Sequence, residues 1–484
     1  MMGFGWALLH LALLTLSVVC RAEVETPPAP KPQQQSSFFG DFVKIVESAI
    51  DLIFSPFYSR KPPDTVTYKD FQLLRVFPRT EDHVDDLEEM LEDEDGVQFW
   101  TPALKNKTTD ILLPPDMIPE VKEYLTEQKI EYQTLISNLQ KEINIQGKSM
   151  KDNILKSRSE PHPFTFQSYH RFVDMMDYLR FLEESYPHLV ELITIGKSNQ
   201  GRPLKVVKIS SGNTEGLDKK PAIWIDAGTH GREWITPAVA MFLIKQLVQN
   251  YRSTRRLVDN LDWYIMPIMN PDGYEYTHTK DRLWRKNMSP GNKKGASDRR
   301  GRFFWDGSRC KGVDLNRNWG FHWGEAGASD NPCRETYAGP QPFSEPETRA
   351  VSDFILDKKS RLKVFLTLHA YSQMWLIPWS YTKSKAKDYD DLMFLGKRAI
   401  NALQKIYGTE FHLGSSPSLL YPIAGSADDW AKGKAGVKYS YTVELRDKGK
   451  FGFLLPPSQI VPTGRETFAA VKAMARAIID KVVD

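Results

Sequence analysis

The stretch Ala222-Ile223-Trp224-Ile225-Asp226-Ala227-Gly228-Thr229-His230-Gly231-Arg232-Glu233-Trp234-Ile235-Thr236-Pro237 decides the fold. It begins as a nearly continuous apolar run of strand length, which fits a strand buried on both faces. Gly228 to Trp234 break that run, and Thr236-Pro237 supply an N-cap and a first-turn proline for a following helix. His230 and Glu233 therefore lie in the loop that joins a strand to a helix. In open α/β sheets such loops, at the carboxyl ends of the strands, line the ligand crevice.

Further apolar runs repeat the pattern at Leu192 to Ile195, Leu204 to Ile209, Trp263 to Ile268, Leu362 to Leu368 and Tyr439 to Val443. Helical spacing is expected over 168–185, 236–250, 345–358, 388–406 and 464–481. The fold class is α/β: a mixed, mostly parallel sheet with helices on both faces. His369 ends one of these strands and Glu444 another. Three strand ends thus bring together His230, Glu233, His369 and Glu444. Two histidines and one glutamate with an open fourth position suit a catalytic zinc ion, leaving Glu444 as the base. Any one of these residues alone is more often a satisfied structural group. The reading rests on their occurrence together. Asp314 suits a carboxylate partner for a ligating imidazole. Arg232, Arg285 and the pair Asn316-Arg317 offer cationic and amide groups for a carboxylate.

The rest of the chain sets the context. Its 484 residues exceed one typical domain, and 41% hydrophobic with 26% charged residues are globular proportions that exclude wholesale disorder, collagen and a polytopic membrane protein. With 64 Lys+Arg against 61 Asp+Glu, the net charge of +3 gives no reason to invoke nucleic acid. Residues 1–22 read as a signal peptide, too short in apolar residues for a stable membrane anchor, so a secreted, extracellular protein is expected. Loss of Cys20 with that signal leaves Cys310 and Cys333, expected to form one disulfide in an oxidising compartment, worth roughly 3 kcal/mol by loop closure.

Residues 23–63 read as a Pro- and Gln-rich linker followed by an amphipathic helix, 64–145 as a small α/β domain, 146–162 as an exposed basic linker open to a trypsin-like protease, and 163–484 as the main domain. The acidic run from Glu81 to Asp95 fits a solvated helix face or a cover for a basic groove of the same chain. Asn106-Lys107-Thr108 is a possible glycosylation acceptor.

Over about residues 160–484 the sequence resembles the zinc metallocarboxypeptidases of the carboxypeptidase A and B type, in secreted zymogen form. The resemblance is carried by His230 to Trp234, Asn270 to Tyr274, Leu283 to Lys286, Asp314 to Trp319, His369 to Ser372, Glu444 to Asp447 and Gly452 to Pro456. The segment from Thr65 to Ile145 looks like the family's propeptide. The resemblance implies one Zn2+ held by His230, Glu233 and His369, with Glu444 as general base and then acid. It implies that Arg285 stabilises the oxyanion, that Asn316 and Arg317 hold the substrate's terminal carboxylate, and that Tyr421 closes over it. Arg232, Tyr371 and Phe453 would contact residues upstream of the scissile bond.

Asp428 falls at the position that sets side-chain preference, and an acid there resembles carboxypeptidase B, implying C-terminal Lys or Arg. Ser380 and Ser416 fall at two further lining positions. Ser426-Ala427 departs from the family's more usual Gly-Ser pair, which bears on the width of the pocket and the aim of Asp428. Ala370 replaces a commoner Ser, and Asn292 to Arg302 form an enlarged basic loop. The implied partners are peptide or protein C-termini and an activating trypsin-like protease. The rival readings are a preference for aromatic or aliphatic ends, a non-catalytic peptide-binding relative, and an amidase acting on acylated amino acids.

Overall fold

The computed structural model describes residues 65–93, 96–156, 162–212, 220–290 and 310–483. The signal, the helix expected near 38–54 and the basic loop at 292–302 lie outside the described residues.

Strands β1 (Gln72–Phe77), β2 (Gln98–Phe99), β3 (Thr109–Leu113) and β4 (Glu131–Ile136) form a four-stranded sheet in the order β2-β3-β1-β4, carrying helices α1 (Glu81–Asp93) and α2 (Ile118–Glu127). Alternation along a strand sends neighbours to opposite faces. Leu74, Val76, Ile111 and Leu113 accordingly enter this domain's own core, while Leu73 and Leu112 join the core of the main domain. The small domain is thus a sheet packed between its own helices and the rest of the chain.

Helix α3 (Leu139–Lys156) runs through residues 146–156, which the sequence reads as the start of an exposed linker. Leu139, Ile143 and Met150 pack on the main core, and Gln146 is buried among them. The spacing is helical, but the polar Gln146 interrupts the apolar stripe and makes the segment read as a linker.

The main domain follows with α4 (Phe172–Ser185), β5 (Val190–Lys197), β6 (Pro203–Ile209), β7 (Ala222–Asp226), α5 (Ile235–Val248), α6 (Tyr251–Asn260), β8 (Asp262–Met266) and α7 (Pro271–Thr279). It continues with α8 (Pro346–Lys358), β9 (Leu362–His369), β10 (Met374–Ile377), α9 (Tyr389–Tyr407), β11 (His412–Ser415), α10 (Ser416–Leu419), α11 (Ala427–Gly433), β12 (Tyr439–Glu444) and α12 (Ile460–Ile479). The eight-stranded sheet runs β11-β10-β12-β9-β7-β8-β6-β5, with β12, β9, β7 and β8 mutually parallel, β10 antiparallel to β12 but parallel to β11, and β6 antiparallel to both β8 and β5.

Every residue of β7 is buried because both faces are covered: Ile223 and Ile225 pack with α5, α9 and α12, whereas Ala222 and Trp224 pack with α8 and α11. This is why the strand reads as a continuous apolar run. The sequence pattern locates the six long strands and five of the helices. It passes over β4, β10, β11, α6, α7, α10 and α11, which are short or half-exposed.

One local expectation is corrected. Helix α5 starts at Ile235, and Thr236 lies within its first turn instead of capping it. The Thr236 hydroxyl donates to the Glu233 carbonyl at 3.1 Å and accepts from the Gly228 N–H at 3.0 Å. It ties together the two ends of the loop that holds His230 and Glu233. Cys310 and Cys333 are disulfide-bonded, with Cα atoms 4.4 Å apart.

Candidate active site

The sheet register builds the centre of the site. In the β9–β12 ladder Glu444 is the direct partner of His369, and in the β7–β9 ladder Asp226 is the partner of Thr367. The loop after β7 then brings His230 and Glu233 over these strand ends. His230, Glu233 and His369 are all buried, and one ligand atom from each lies within 4.8 Å of the others.

Their donor atoms point inward. His230 Nδ1 is 2.7 Å from Glu233 Oε1 and 3.2 Å from His369 Nδ1, and His369 Nδ1 is 3.3 Å from Glu233 Oε2. The outer ring nitrogens are engaged elsewhere: His230 Nε2 with Asp314 Oδ1 at 3.0 Å, and His369 Nε2 with Thr367 Oγ1 at 3.2 Å. Thr367 in turn donates to Asp226 Oδ1 at 2.7 Å. Two imidazole nitrogens facing each other beside a carboxylate, each ring oriented from behind, is the donor set that fits a zinc ion.

Charges around the centre are held by named neighbours. Burial opposes the ionisation of Asp314, but Arg285, Arg317 and His230 outweigh it and keep the carboxyl well below its usual range. Arg285 donates to Asp314 Oδ2 from Nε at 3.1 Å and from Nη2 at 2.7 Å. Burial pushes the Glu444 carboxyl up to about 8; the Glu233 charge adds to this, and His369 and Arg285 oppose it. A carboxyl with a raised pKa in such a cleft suits proton transfer near neutral pH. Burial likewise raises Asp226 to about 6, against hydrogen bonds from Thr367 and Trp224.

A second group lies beyond the centre. Arg317 donates from Nε to the Gly327 carbonyl at 2.7 Å and from Nη2 to the Tyr421 hydroxyl at 3.0 Å. Asn316 Oδ1 accepts from the Ala427 N–H at 3.0 Å, which fixes the start of α11. Asp428, in the first turn of that helix, is buried, and its Oδ2 accepts from Ser380 Oγ at 2.9 Å. Ser380 Oγ and Ser416 Oγ are 3.2 Å apart. Asp428 Oδ1 is a buried atom without a hydrogen-bond partner among the described residues. The neighbouring Asp429 takes the backbone N–H groups of Ser380 and Tyr381, and burial with the adjacent Asp428 charge pushes its carboxyl well up.

The third group faces the small domain. Tyr371 donates to Asp110 Oδ2 at 2.7 Å, and Asp110 is paired with Arg75 at 2.7 Å. Trp100 lies against the Phe453 ring at 4.9 Å between centroids and edge-on to Tyr371 at 6.4 Å. Gln146 donates to the Leu455 carbonyl at 3.1 Å and accepts from Arg282 Nε, also at 3.1 Å. Lys107 reaches the carbonyls of Ser418 and Leu419. Gly449 and Gly452 have φ of +98° and +53°. A Cβ on either would run into Arg75 or Trp100 of the small domain. Arg232 sits over the Phe453 ring at 4.3 Å and pairs with Glu335 at 3.1 Å.

A family model described as zinc carboxypeptidase matches residues 175–470, and one described as carboxypeptidase activation peptide matches residues 74–146. This chain belongs to the zinc carboxypeptidase family. It is a carboxypeptidase zymogen of the A/B type with its propeptide, and residues 74–146 lie in the small domain that meets Tyr371 and Phe453.

Carboxypeptidase B of Astacus astacus is 46% identical over 314 residues, spanning 65% of this chain and 98% of that protein. Human carboxypeptidase A1 is 38% identical over 406 residues, spanning 83% and 92%. Among solved structures, thrombin activatable fibrinolysis inhibitor superposes with a TM-score of 0.76 at 34% identity, covering 85% of this chain and all of that one. The carboxypeptidase A of Helicoverpa armigera superposes with a TM-score of 0.75 at 28% identity, covering 85% and 98%. Relatives named carboxypeptidase A and carboxypeptidase B both match, so the names leave the side-chain preference open.

The structure brings the sequence-predicted residues together in local groups: His230, Glu233 and His369, with Glu444 beside His369 in the sheet and Arg285 held by Asp314; Arg317 with Tyr421, and Asn316 at the start of the helix that carries Asp428; and Arg232 and Tyr371 around Phe453. Sequence reasoning missed Thr367 and Asp226 behind His369, because neither stands in a motif. It also missed Trp100, Asp110 and Gln146, which carry no local signal. The described ion pair of the acidic helix α1, Glu81 with Lys105 at 3.4 Å, lies within the propeptide domain. No helix among the described residues is long and apolar enough to cross a membrane.

Proposed function

We propose that this zymogen, once its propeptide is removed, hydrolyses the last peptide bond of peptides and proteins that end in a basic residue. The single observation that carries this reading is Asp428, a buried carboxylate with one oxygen unpartnered among the described residues. An ionised group in such a place is costly unless a cation meets it. A C-terminal lysine or arginine side chain is the cation that the pocket lacks.

His230, Glu233 and His369 hold Zn2+ in this reading, and the bound ion supplies a Lewis acid that polarises a carbonyl and makes water acidic near neutral pH. Arg317, Asn316 and the Tyr421 hydroxyl hold the substrate's terminal carboxylate, a geometry suited to an arginine fork beside an amide. Glu444 takes a proton from the attacking water and returns it to the departing nitrogen. Arg285, held by Asp314, donates to the oxygen on which negative charge develops. Arg232, Tyr371 and Phe453 receive the residues upstream of the bond.

Latency and location belong to the same reading. Residues 1–22 are a signal for secretion, and a trypsin-like protease cuts within the basic stretch that ends at 162. Residues 163–484 are then the active enzyme.

The test is release of C-terminal Lys, Arg, Phe, Leu and Glu from a matched peptide set after limited trypsin treatment, with and without a zinc chelator. Chelator-sensitive release of Lys and Arg is expected. Release of Phe or Leu instead would keep the enzyme and overturn the role of Asp428. No release at all from trimmed, zinc-loaded protein would favour a binding protein.

A further inference from the structure

Two residues before Asp428 lies a second buried polar atom without a partner among the described residues. Ser426 is buried, and its hydroxyl, like Asp428 Oδ1, meets no hydrogen-bond partner among the described residues. It stands at the N-cap of α11, where a serine hydroxyl normally accepts from the helix's free N–H groups, yet this one makes no capping bond. Two orphaned polar atoms within three residues of each other are uncommon in a folded interior, where such groups are paired.

The backbone around Ser426 is fixed. The next N–H, of Ala427, is held by Asn316 Oδ1 at 3.0 Å, and the preceding Gly425, at φ +67°, packs so closely that a Cβ there would lie 2.4 Å from the Arg317 carbonyl. Ser426 therefore joins the Asn316-Arg317 pair to the Asp428 carboxylate and belongs to the wall between them.

We infer that Ser426 is a specificity-determining residue, and that together with Asp428 it makes the pocket prefer a C-terminal lysine over arginine. This rests on the reading of Asp428 as the selector of basic ends. The argument is one of donor geometry. A guanidinium binds a carboxylate best through two parallel N–H bonds to both oxygens. Here Oδ2 already accepts from Ser380 Oγ while Oδ1 accepts from nothing described, so a guanidinium's second bond would have to share Oδ2 with the serine.

An ammonium has three N–H donors around one nitrogen and needs three separate acceptors. Asp428 Oδ1 and Ser426 Oγ supply two, and the Ser380–Ser416 hydroxyl pair supplies the third. Ammonium is the more strongly hydrated of the two cations, so it repays entry only when its acceptor set is complete. Ser426 completes it. A side chain at 426 also takes room that a glycine would leave for the wider guanidinium.

The experiment measures kcat/KM of the trimmed, zinc-loaded enzyme on two peptides that differ only in a terminal Lys or Arg, with a Leu-ended peptide as reference. The wild type is expected to favour Lys by about tenfold, the size of one charged hydrogen bond. Ser426→Gly and Ser426→Ala are each expected to lower the Lys/Arg ratio by about fivefold or more. Because both peptides meet the same preparation, the ratio does not depend on how much of a variant folds.

A wild type that cleaves Lys and Arg equally, or Arg better, overturns the inference while leaving Asp428 as the selector. A ratio that stays unchanged in Ser426→Ala also overturns it, since the hydroxyl would then contribute nothing. Release of Leu with neither Lys nor Arg would instead fail the underlying reading of Asp428.

Discussion

The two sides of the cleft are finished in different ways. On the upstream side the propeptide supplies the missing partners: Asp110 accepts from Tyr371, Gln146 meets Arg282, and Trp100 lies on Phe453. On the pocket side, Asp428 Oδ1 and Ser426 Oγ stay unpartnered among the described residues, although Asn316 holds the Ala427 N–H between them and Ser380 donates to Asp428 Oδ2. Among the described hydrogen bonds and ring contacts, none joins the propeptide to the metal-ligand set, Glu444, Asn316, Arg317 or Asp428. With Tyr371 and Phe453 as the proposed upstream subsites and Asp428 as the proposed selector, latency is occupation of the former, while the latter is built beforehand.

Glu444 lies between the two sides, and its loss separates chemistry from both. Glu444→Gln should lower kcat/KM of the trimmed enzyme by roughly 10⁴-fold. Single-turnover assays should give the same factor for Lys-ended peptides of any length; a factor that varied with length would tie Glu444 to upstream binding. Asp428→Ala should act on one side only. It should cost about 10²-fold on Lys-ended peptides, while improving release of Leu, as read from paired specificity constants.

Changes on the propeptide face should leave the trimmed enzyme untouched and alter latency. Asp110→Asn removes the charge shared by Arg75 and Tyr371, and Trp100→Ala removes the apolar contact with Phe453. Either should speed the appearance of activity after trypsin cleavage by about tenfold, the effect of losing one buried anchor of an interface. An unchanged time course would place the inhibitory contact elsewhere.

The smallest effect lies away from both sides. Glu345 and Glu347 are buried together, and both accept from Asn287 Nδ2, at 2.7 and 3.1 Å. Burial is the main cause that raises Glu347 to about 7, with the Glu345 charge adding to it. A carboxyl raised in the folded state lends stability below its ordinary value of 4.5, and that stability is lost as pH rises through about 7. Glu347→Gln should therefore raise Tm above pH 7, by about 1–2 kcal/mol of stability, and change little at pH 5. Calorimetry at the two pH values checks this, and equal shifts at both would remove the titration as the cause.

How much was legible in the sequence follows from range. The β7 run and the His230–Glu233 loop were readable because strand, turn and helix signals are local. His369 and Glu444 were readable as strand ends, and only the parallel β9–β12 register shows that they are neighbours. Gln146 misled because one polar residue in an apolar stripe makes a buried helix look like a linker. Trp100 and Asp110 gave no signal, since their partners Phe453 and Tyr371 are more than two hundred residues away and belong to another domain. Ser426 was visible as a departure from the family's pattern. Its meaning needed the structure, which leaves its hydroxyl without a cap or a partner.

The most direct test of this two-sided account sets the intact zymogen against the trimmed enzyme with two substrates. One is an Nα-acylated lysine, which needs only the metal centre and the pocket. The other is an extended peptide ending in lysine, which also needs the upstream cleft. Trimming should raise kcat/KM on the extended peptide at least about tenfold more than on the acylated lysine, because only the former must displace Trp100 and Asp110. Equal gains on both substrates would contradict the account and mean that the propeptide disables the centre or the pocket itself.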